Sequence, residues 1–337
     1  MLVVSTLGHV DHGKSTLVRA LTGREPDRLA EERRRGMTIE LGHVWADLGP
    51  PHAPVTVAFV DVPGHQRLVG TALAGLGPAP AVLLVVASDD GWSAQTTEHV
   101  DAAVALGITR GVVAVTRADL ADPAAVAADV ARRLAGTGLA RAAVVPCSAV
   151  TGEGLQELGA ALAALEAPTP PETPAHLETP GPPDGGRHGV DGSPGDAAGP
   201  DLWVDRVFSA PGSGTVLTGT LTHGRLRTGS PVVLQGRGGS RGATVRGLQS
   251  LGTPLPEQRA VARVAVNLRG VPRELVHRGD RLLAEGLPDP VTEADVLVSL
   301  LPGRDLPARG STEVQLHVGT AVRPVRVRAL GVGVARL

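Results

Sequence analysis

Hydrophobic positions divide the chain into segments with different periodicities. In residues 1–166, continuous apolar runs typical of buried strands alternate with stretches whose apolar residues recur every three to four positions, as in helices. The predicted strands are 2–7, 55–61, 81–87, 111–116 and 142–146, and the predicted helices are 14–22, 65–75, 94–106, 123–135 and 153–164. This alternation predicts an α/β domain with a parallel sheet and helices on both faces.

From residue 201 the pattern changes to short β-branched runs separated by glycines. The predicted strands are 203–208, 214–221, 231–234, 243–248, 261–267 and 280–283, which favours a small antiparallel β-barrel over residues 201–287. Residues 290–337 are again β-rich, with predicted strands at 294–301, 312–318 and 324–330. Because three strands are few for a closed barrel, we expect this last segment to be a barrel domain that is cut short.

Residues 167–200 separate the α/β segment from the first barrel. Proline or glycine occupies 16 of these 34 positions, and no apolar period runs through them. Such a composition cannot bury enough apolar surface to fold, so we expect a disordered linker.

Composition narrows the class of protein. The net charge of −2 means that any contact with nucleic acid must come from local patches. The single cysteine, Cys147, excludes an internal disulfide and a zinc–cysteine cluster. Because the first strand begins at residue 2, we expect no targeting segment. The longest apolar run, 81–87, is far shorter than the ~20 residues of a membrane span. We therefore expect a cytoplasmic monomer without membrane association.

Residues 8–15, Gly-His-Val-Asp-His-Gly-Lys-Ser, fit the phosphate-binding loop pattern G-x-x-x-x-G-K-[ST] between a strand and a helix. Lys14 is the only lysine in the chain, and arginine is the basic residue at every other position. At position 14 a compact ammonium can enter a ring of backbone N–H groups, for which a planar guanidinium is too wide. We expect Lys14 to bridge the β- and γ-phosphates and the Ser15 hydroxyl to bind Mg²⁺. The residues of this loop predicted to bind the nucleotide are Asp11, His12, Gly13, Lys14, Ser15 and Thr16.

The segment Asp61-Val62-Pro63-Gly64-His65 ends a hydrophobic strand. An aspartate at this point holds Mg²⁺ through water, and the Gly64 N–H can contact the γ-phosphate. Thr38 would supply a second hydroxyl for Mg²⁺ from a mobile loop, although its spacing fits an ordinary turn equally well. The predicted metal ligands are therefore Ser15, Thr38 and Asp61.

Two segments after the last strands of the sheet carry a base-reading pattern. In Thr116-Arg117-Ala118-Asp119, the Asp119 carboxylate can accept from N1–H and the 2-amino group of guanine together, and adenine lacks this pair of donors. In Cys147-Ser148-Ala149, the backbone N–H groups of Ser148 and Ala149 can donate to guanine O6. We expect Thr116 and Arg117 to contribute to the same nucleotide site.

These motifs, in this order, resemble the translational GTPases, of which elongation factor Tu is one. Residues 212–220, Gly-Ser-Gly-Thr-Val-Leu-Thr-Gly-Thr, resemble the barrel that follows the GTPase domain in that superfamily. Residues 35–42, Arg-Gly-Met-Thr-Ile-Glu-Leu-Gly, and Thr116 in place of the usual asparagine are similar to bacterial selenocysteine-specific elongation factors of the SelB type. Arg117 departs from the usual lysine. The resemblance covers 1–166 and 201–285 well and 290–337 loosely.

The resemblance implies a GTPase that uses Mg²⁺ and hydrolyses GTP when it docks on the ribosome. His65 would orient the attacking water, and Val10 and Met37 would form an apolar gate that holds this histidine back until docking. It also implies delivery of selenocysteinyl-tRNA. The residues implied to line the selenocysteinyl pocket between the GTPase domain and the barrel are His43, Asp205, Arg206 and Arg263.

Two guanidiniums in such a pocket would favour a selenolate over the neutral hydroxyl of a seryl-tRNA. From the residues alone, Asp205 and Arg206 fit an ordinary ion pair at the barrel rim equally well. Two further hypotheses stay open: a GTPase regulatory subunit of a sulfate-adenylylating type of enzyme, and a truncated fragment that only binds nucleotide. SelB-type factors carry a C-terminal winged-helix region that binds an mRNA hairpin. Nothing in this sequence resembles it, so the hairpin is a partner only if a further region exists.

Overall fold

The computed structural model describes residues 1–26, 38, 40–64, 68–165, 199–210, 214–286, 290–300, 305, 310–331 and 333–337. In the first part of the chain the strands are β1 (Leu2–Leu7), β2 (Gly42–Leu48), β3 (Val55–Asp61), β4 (Ala81–Ala87), β5 (Gly111–Thr116) and β6 (Ala143–Pro146). The helices are α1 (Lys14–Thr22), α2 (Val69–Leu76), α3 (Ala94–Ala105), α4 (Ala124–Leu134) and α5 (Leu155–Ala164).

These strands form one sheet in the order β2-β3-β1-β4-β5-β6, and the neighbours from β3 to β6 are parallel. Every residue of β1, β4 and β5 is buried, as expected of parallel strands covered on both faces. Separate hydrophobic clusters fill the two sides, one around Phe59 and Val85 and the other around Leu84 and Val86. The predicted α/β fold is confirmed.

Strand β2 is the element of this sheet that the sequence pattern missed. It pairs antiparallel with β3 from Gly42↔Asp61 to Leu48↔Val55. As an edge strand it buries Val44 on one side and leaves most other positions half-exposed, so its hydrophobic run is too weak to identify. The predicted helix 65–75 also differs, since α2 begins at Val69 and residues 65–67 lie outside the described residues.

The second unit is an antiparallel β-barrel, as predicted. Its strands are β7 (Asp201–Ala210), β8 (Gly214–His223), β9 (Arg225–Arg227), β10 (Pro231–Gly236), β11 (Gly239–Ser250), β12 (Thr253–Leu255), β13 (Glu257–Arg259), β14 (Ala262–Arg269) and β15 (Arg281–Leu283). The ring runs β10-β15-β7-β8-β14-β11 and closes through pairing of β10 with β11. Alternate residues of β14 are buried, which gives the barrel a single apolar core.

The last segment holds a sheet in the order β16-β19-β18-β17, built from β16 (Asp295–Leu297), β17 (Thr312–Val318), β18 (Ala321–Gly331) and β19 (Val334–Arg336). Three of these strands overlap predicted ones, whereas β19 was not predicted and β16 is shorter than the predicted 294–301. The expected linker lies outside the described residues as far as residue 198.

The hairpin tip between β17 and β18 joins the three units. The Thr320 hydroxyl donates to the backbone oxygen of Val204 in β7 at 2.5 Å. Gly319 (φ 53°) packs so tightly that a Cβ there would overlap the ring of Trp203. A Cβ at Gly77, which ends α2, would lie 2.8 Å from the Gly319 backbone oxygen. Among the described residues, no helix is long and apolar enough to cross a membrane.

Candidate functional site

The phosphate-binding loop between β1 and α1 curls around the ammonium group of Lys14. The backbone leaves the ordinary region at Gly8, Asp11 and Gly13, whose φ angles are 124°, 66° and 84°. Lys14 Nζ donates to the backbone oxygens of Gly8 at 3.0 Å and His9 at 2.7 Å. The lysine is buried, so its compact ammonium fits a ring of backbone groups that would exclude a planar guanidinium.

Three oxygen-bearing side chains meet at the N-terminus of α1. Ser15 Oγ donates to Asp61 Oδ2 at 2.6 Å and lies 2.9 Å from Thr38 Oγ1. The Thr38 hydroxyl lies 3.5 Å from the same carboxylate oxygen. Thr6 donates to the other oxygen, Oδ1, at 2.7 Å and so orients the carboxylate. The structure therefore brings together all three residues that the sequence predicted as metal ligands.

This cluster has the donor set that Mg²⁺ prefers, hydroxyl and carboxylate oxygens at the edge of a phosphate site. Asp61 is fully buried, and this burial raises its pKa, although hydrogen bonds from Ser15 and Thr6 oppose the rise. A buried carboxylate is costly to ionise unless a cation or donors compensate it. A divalent cation would supply that compensation, so the residues present fit the metal.

Gly64 lies directly against the phosphate-binding loop. A Cβ built on it would overlap Lys14 Nζ and lie 2.8 Å from the backbone nitrogen of Val10. Only glycine permits this approach, which places the Gly64 backbone on the side of the loop where the lysine emerges. Val10 of the predicted gate is therefore next to the residue that precedes His65. His65 and Met37 lie outside the described residues.

The segment after β5 is tied to the phosphate-binding loop. Thr116 Oγ1 donates to the backbone oxygen of His12 at 2.8 Å. Arg117 contacts the backbone oxygen of Asp11 and also binds the Asp89 carboxylate, with its Nη1 3.1 and 2.9 Å from the two oxygens. The arginine therefore contacts the loop and the turn that contains Asp89 at the same time. A lysine side chain ends in a single nitrogen and lacks the second terminal nitrogen that makes one of these contacts.

The two predicted base-reading segments lie side by side at the carboxyl ends of β5 and β6. The Ala118 N–H donates to the Cys147 backbone oxygen at 3.2 Å and joins them. Asp119 is exposed, Ala149 is half-buried and Ser148 is fully buried. Ser148 Oγ accepts from the backbone N–H groups two and three residues ahead, at 3.2 and 3.1 Å, and so fixes its loop.

Two buried side chains of α3, outside the predicted nucleotide-binding residues, support the phosphate-binding loop. His99 Nδ1 accepts from the Gly8 N–H at 3.1 Å. Gln95 Oε1 lies 3.4 Å from the Val10 backbone nitrogen. Both contacts join residues more than 80 positions apart, which no local motif can reveal.

The four residues implied as a selenocysteinyl pocket also come together, where β2 faces the barrel. Arg263 donates through both terminal nitrogens to the Asp205 carboxylate, one of them at 2.7 Å. His43 Nε2 lies 3.8 Å from the same carboxylate. Arg206 donates at 3.2 Å to the exposed carboxylate of Glu40 and, also at 3.2 Å, to the backbone oxygen of Leu41. Asp205 thus pairs with Arg263 rather than with its neighbour Arg206.

Two cavities meet at His43 and Arg206. The first has a volume of about 230 Å³, and its lining includes Trp45, Phe208 and Arg263. The second has a volume of about 310 Å³ and is lined by the guanidiniums of Arg206, Arg273 and Arg278 together with the carboxylates of Glu40 and Asp205. The junction therefore combines an apolar recess with an opening in which arginines outnumber carboxylates.

Burial sets the charge states of this junction. It lowers the pKa of His43 to about 4, with help from the nearby Arg263, so this imidazole is neutral at pH 7. Burial also disfavours the Asp205 carboxylate, but Arg263 and His43 outweigh this effect and hold its pKa well below the ordinary value. The charge of Arg263 is therefore already compensated inside the protein. Arg206 is the more accessible cation, with 35% of its side chain exposed.

Comparisons with known proteins agree with this geometry. Residues 1–168 match the family described as the elongation factor Tu GTP binding domain. The chain is 38% identical to a selenocysteine-specific elongation factor of Desulfomicrobium baculatum, over 95% of this chain and 46% of that protein. It is 32% identical to elongation factor Tu 2 of Streptomyces avermitilis, over 95% of this chain and 82% of that protein.

A solved structure of a similar protein has the same fold. The crystal structure of a bacterial selenocysteine-specific elongation factor superimposes with a TM-score of 0.83 at 28% identity, over 99% of this chain and 52% of that one. The chain thus spans about half the length of the selenocysteine-specific factors that it resembles.

Proposed function

The chain belongs to the elongation factor Tu family of translational GTPases, and on that premise we propose that it is a GTP-dependent elongation factor that delivers selenocysteinyl-tRNA to the ribosome. One observation carries the proposal: the buried Lys14, which lies against Gly64, is followed directly in the chain by Ser15 of the Ser15–Thr38–Asp61 oxygen cluster. That arrangement suits a nucleoside triphosphate with a divalent cation. Two observations support the preference for selenocysteine: two similar proteins are selenocysteine-specific elongation factors, and the junction at Arg206 is charged.

In this proposal the phosphates of GTP lie along the backbone N–H groups of residues 11–15, with the γ-phosphate between Lys14 and Gly64. Ser15, Thr38 and Asp61 would hold Mg²⁺, the first two through their hydroxyls. When bound, the cation would neutralise charge on the phosphates. Thr16 is exposed in the first turn of α1, where it can approach the α-phosphate.

Guanine would be read by the two segments after β5 and β6. Asp119 accepts from the two guanine donors, and backbone N–H groups of Ser148 and Ala149 donate to O6. Thr116 and Arg117 position these segments through their contacts with the phosphate-binding loop. A competition assay tests this assignment: GTP and GDP should displace a fluorescent guanine nucleotide, and ATP should fail at the same concentration because it leaves the carboxylate unpaired.

GTP hydrolysis would depend on His65, held back by Val10 and Met37 until the ribosome docks. Purified protein should therefore hydrolyse GTP slowly alone and faster when ribosomes are added. His65→Ala should abolish the stimulated rate and leave GTP affinity unchanged. A stimulated rate that survives this substitution would rule out the proposed role of the histidine.

The selenocysteinyl pocket would use Arg206 as the cation that meets the selenium atom. A selenol is more acidic than a thiol, whose reference pKa is ~8.5, and is ionised at neutral pH. The pairing of Arg206 with the exposed Glu40 is the kind of ion pair that contributes little and that a better-placed anion displaces. Arg263, locked on Asp205, and the neutral His43 shape the recess around it.

Filter binding of selenocysteinyl-tRNA and its seryl-tRNA precursor tests this pocket. The GTP-loaded protein should retain the selenocysteinyl form more strongly. Arg206→Gln should remove the preference, whereas Arg132→Gln, on the exposed face of α4, should keep it. Equal binding of both aminoacyl forms by the wild-type protein would refute the proposal.

Other features follow from the same proposal. The similar proteins are elongation factors, so the alternative function, a regulatory subunit of a sulfate-adenylylating enzyme, is not favoured. We propose a cytoplasmic monomer that has the ribosome as its second partner. An mRNA hairpin would be a partner only if a further C-terminal region exists.

A further inference from the structure

The backbone of Gly8, at the start of the phosphate-binding loop, is held on both sides of its Cα. Its C=O accepts from Lys14 Nζ at 3.0 Å, and its N–H donates to His99 Nδ1 at 3.1 Å. The backbone also passes so close to β4 that a Cβ at Gly8 would overlap the backbone oxygen of Val85. The two hydrogen-bonding groups belong to the successive peptide groups that meet at Gly8, so the conformation of this residue links His99 to Lys14.

Helix α3 delivers the histidine to this position. The helix begins with a reciprocal cap, in which Ser93 Oγ accepts from the Thr96 N–H at 3.1 Å and Thr96 Oγ1 lies 3.4 Å from the Ser93 nitrogen. The cap fixes the rotation of the first turn. Gln95 and His99 are four residues apart and so share one face, which is buried against the loop. His99 is only 5% exposed.

The contact requires an unprotonated Nδ1, because a protonated imidazole has no lone pair to offer the Gly8 N–H. Burial, the positive charge of Lys14 and the neighbouring His9 together lower the pKa of His99 to about 4. The imidazole is therefore neutral at pH 7, with its proton on Nε2. The same neutrality keeps a second positive charge away from Lys14.

We infer that His99 is a positioning residue for the nucleotide: it holds the Gly8 N–H and so fixes the backbone at Gly8, whose C=O in the next peptide group aims the Lys14 ammonium at the phosphates. The inference rests on the proposed nucleotide function and extends it to a residue of α3. Loss of the Nδ1 acceptor leaves a buried N–H without a partner and lets the backbone rotate at Gly8. The nucleotide should then dissociate faster, while the rate at which bound GTP is hydrolysed should change little, because His99 does not touch the reacting atoms.

Two amide substitutions separate positioning from simple packing. In His99→Asn, Oδ1 takes the place of Nδ1 and can accept from Gly8. In His99→Gln, the amide oxygen reaches only the place of Nε2, so the variant is polar and of similar size but lacks the acceptor. His99→Leu removes all polarity, and His52→Leu in an exposed loop is the control.

The measurement is the dissociation rate of a fluorescent GDP from each variant, with thermal unfolding of the nucleotide-free protein in parallel. We expect His99→Gln and His99→Leu to release GDP about tenfold faster, the effect of losing one buried hydrogen bond, and His99→Asn to stay close to wild type. Equal rates for the asparagine and glutamine variants would overturn the inference, even if both unfold at a lower temperature. A wild-type protein that binds no guanine nucleotide would overturn the proposed function and this inference together.

Discussion

Asp205→Asn is the substitution that most severely tests the junction between the GTPase domain and the barrel. The carboxylate is 5% exposed and accepts from both terminal nitrogens of Arg263, whose side chain is 14% exposed. It also accepts from the Thr218 hydroxyl at 2.9 Å. An amide removes the negative charge and turns one acceptor into a donor that faces a guanidinium.

The expected cost follows from this burial. Removing one partner of a buried ion pair leaves the other charge without compensation and costs ~3–5 kcal/mol. An exposed pair of similar geometry contributes far less, ~0–1 kcal/mol. Asp205→Asn should therefore lower the free energy of unfolding by about 3 kcal/mol or more. The double variant Asp205→Asn/Arg263→Gln should lose less than the sum of its single variants, because it removes both charges.

Urea unfolding followed by tryptophan fluorescence measures these differences in the nucleotide-free protein. Asp129→Asn is the matched control, since Asp129 pairs with Arg132 and Arg133 on the surface of α4. Its unfolding midpoint should stay close to that of the wild type. If Asp205→Asn behaved like this control, or if the single and double variants were additive, the buried pair drawn from the structure would be refuted.

Four further predictions address other parts of the account. Lys14→Arg should abolish tight GTP binding in calorimetry, because the loop carbonyls hold a compact ammonium at 2.7 and 3.0 Å. Arg117→Lys should weaken GTP binding less than about fivefold in the same assay, because its ion pair is one-third exposed. Gly319→Ala should destabilise the protein in thermal unfolding by ~1–3 kcal/mol more than Gly310→Ala, since both have positive φ but only the first meets a ring. Lowering the pH from about 6.5 to about 4 should reduce the free energy of unfolding by on the order of 3 kcal/mol through His43, because the imidazole takes up a proton in the unfolded protein but not in the folded one. Urea titrations of the wild type and of His43→Asn at the two pH values check this.

The nucleotide half of the site could be predicted because its signals are local. The strand, loop and first helix around Lys14 follow one another within 22 residues, and their observed bounds match the predicted ones. Apolar runs that are buried on both faces likewise identified β3, β4 and β5 without error. Strand β2 was not predicted because an edge strand lacks a continuous apolar run.

The supporting contacts could not be predicted because they join distant positions. Thr6 reaches Asp61 across 55 residues, and His99 reaches Gly8 across 91. The pairing of Asp205 with Arg263 spans 58 residues and arises only when β7 and β14 lie on either side of β8. The family resemblance implied that Arg263 lines an anion pocket, and its pairing with the Asp205 carboxylate became visible only in the fold.

We propose that this GTPase selects selenocysteinyl-tRNA and does so in its GTP state. The most direct test is the dissociation constant for selenocysteinyl-tRNA and for seryl-tRNA, each measured with GTP and with GDP bound. We expect the selenocysteinyl form to bind more tightly and GTP to strengthen this binding, a coupling that by linkage also tightens GTP on the protein. Equal constants for the two aminoacyl forms in the GTP state would contradict it.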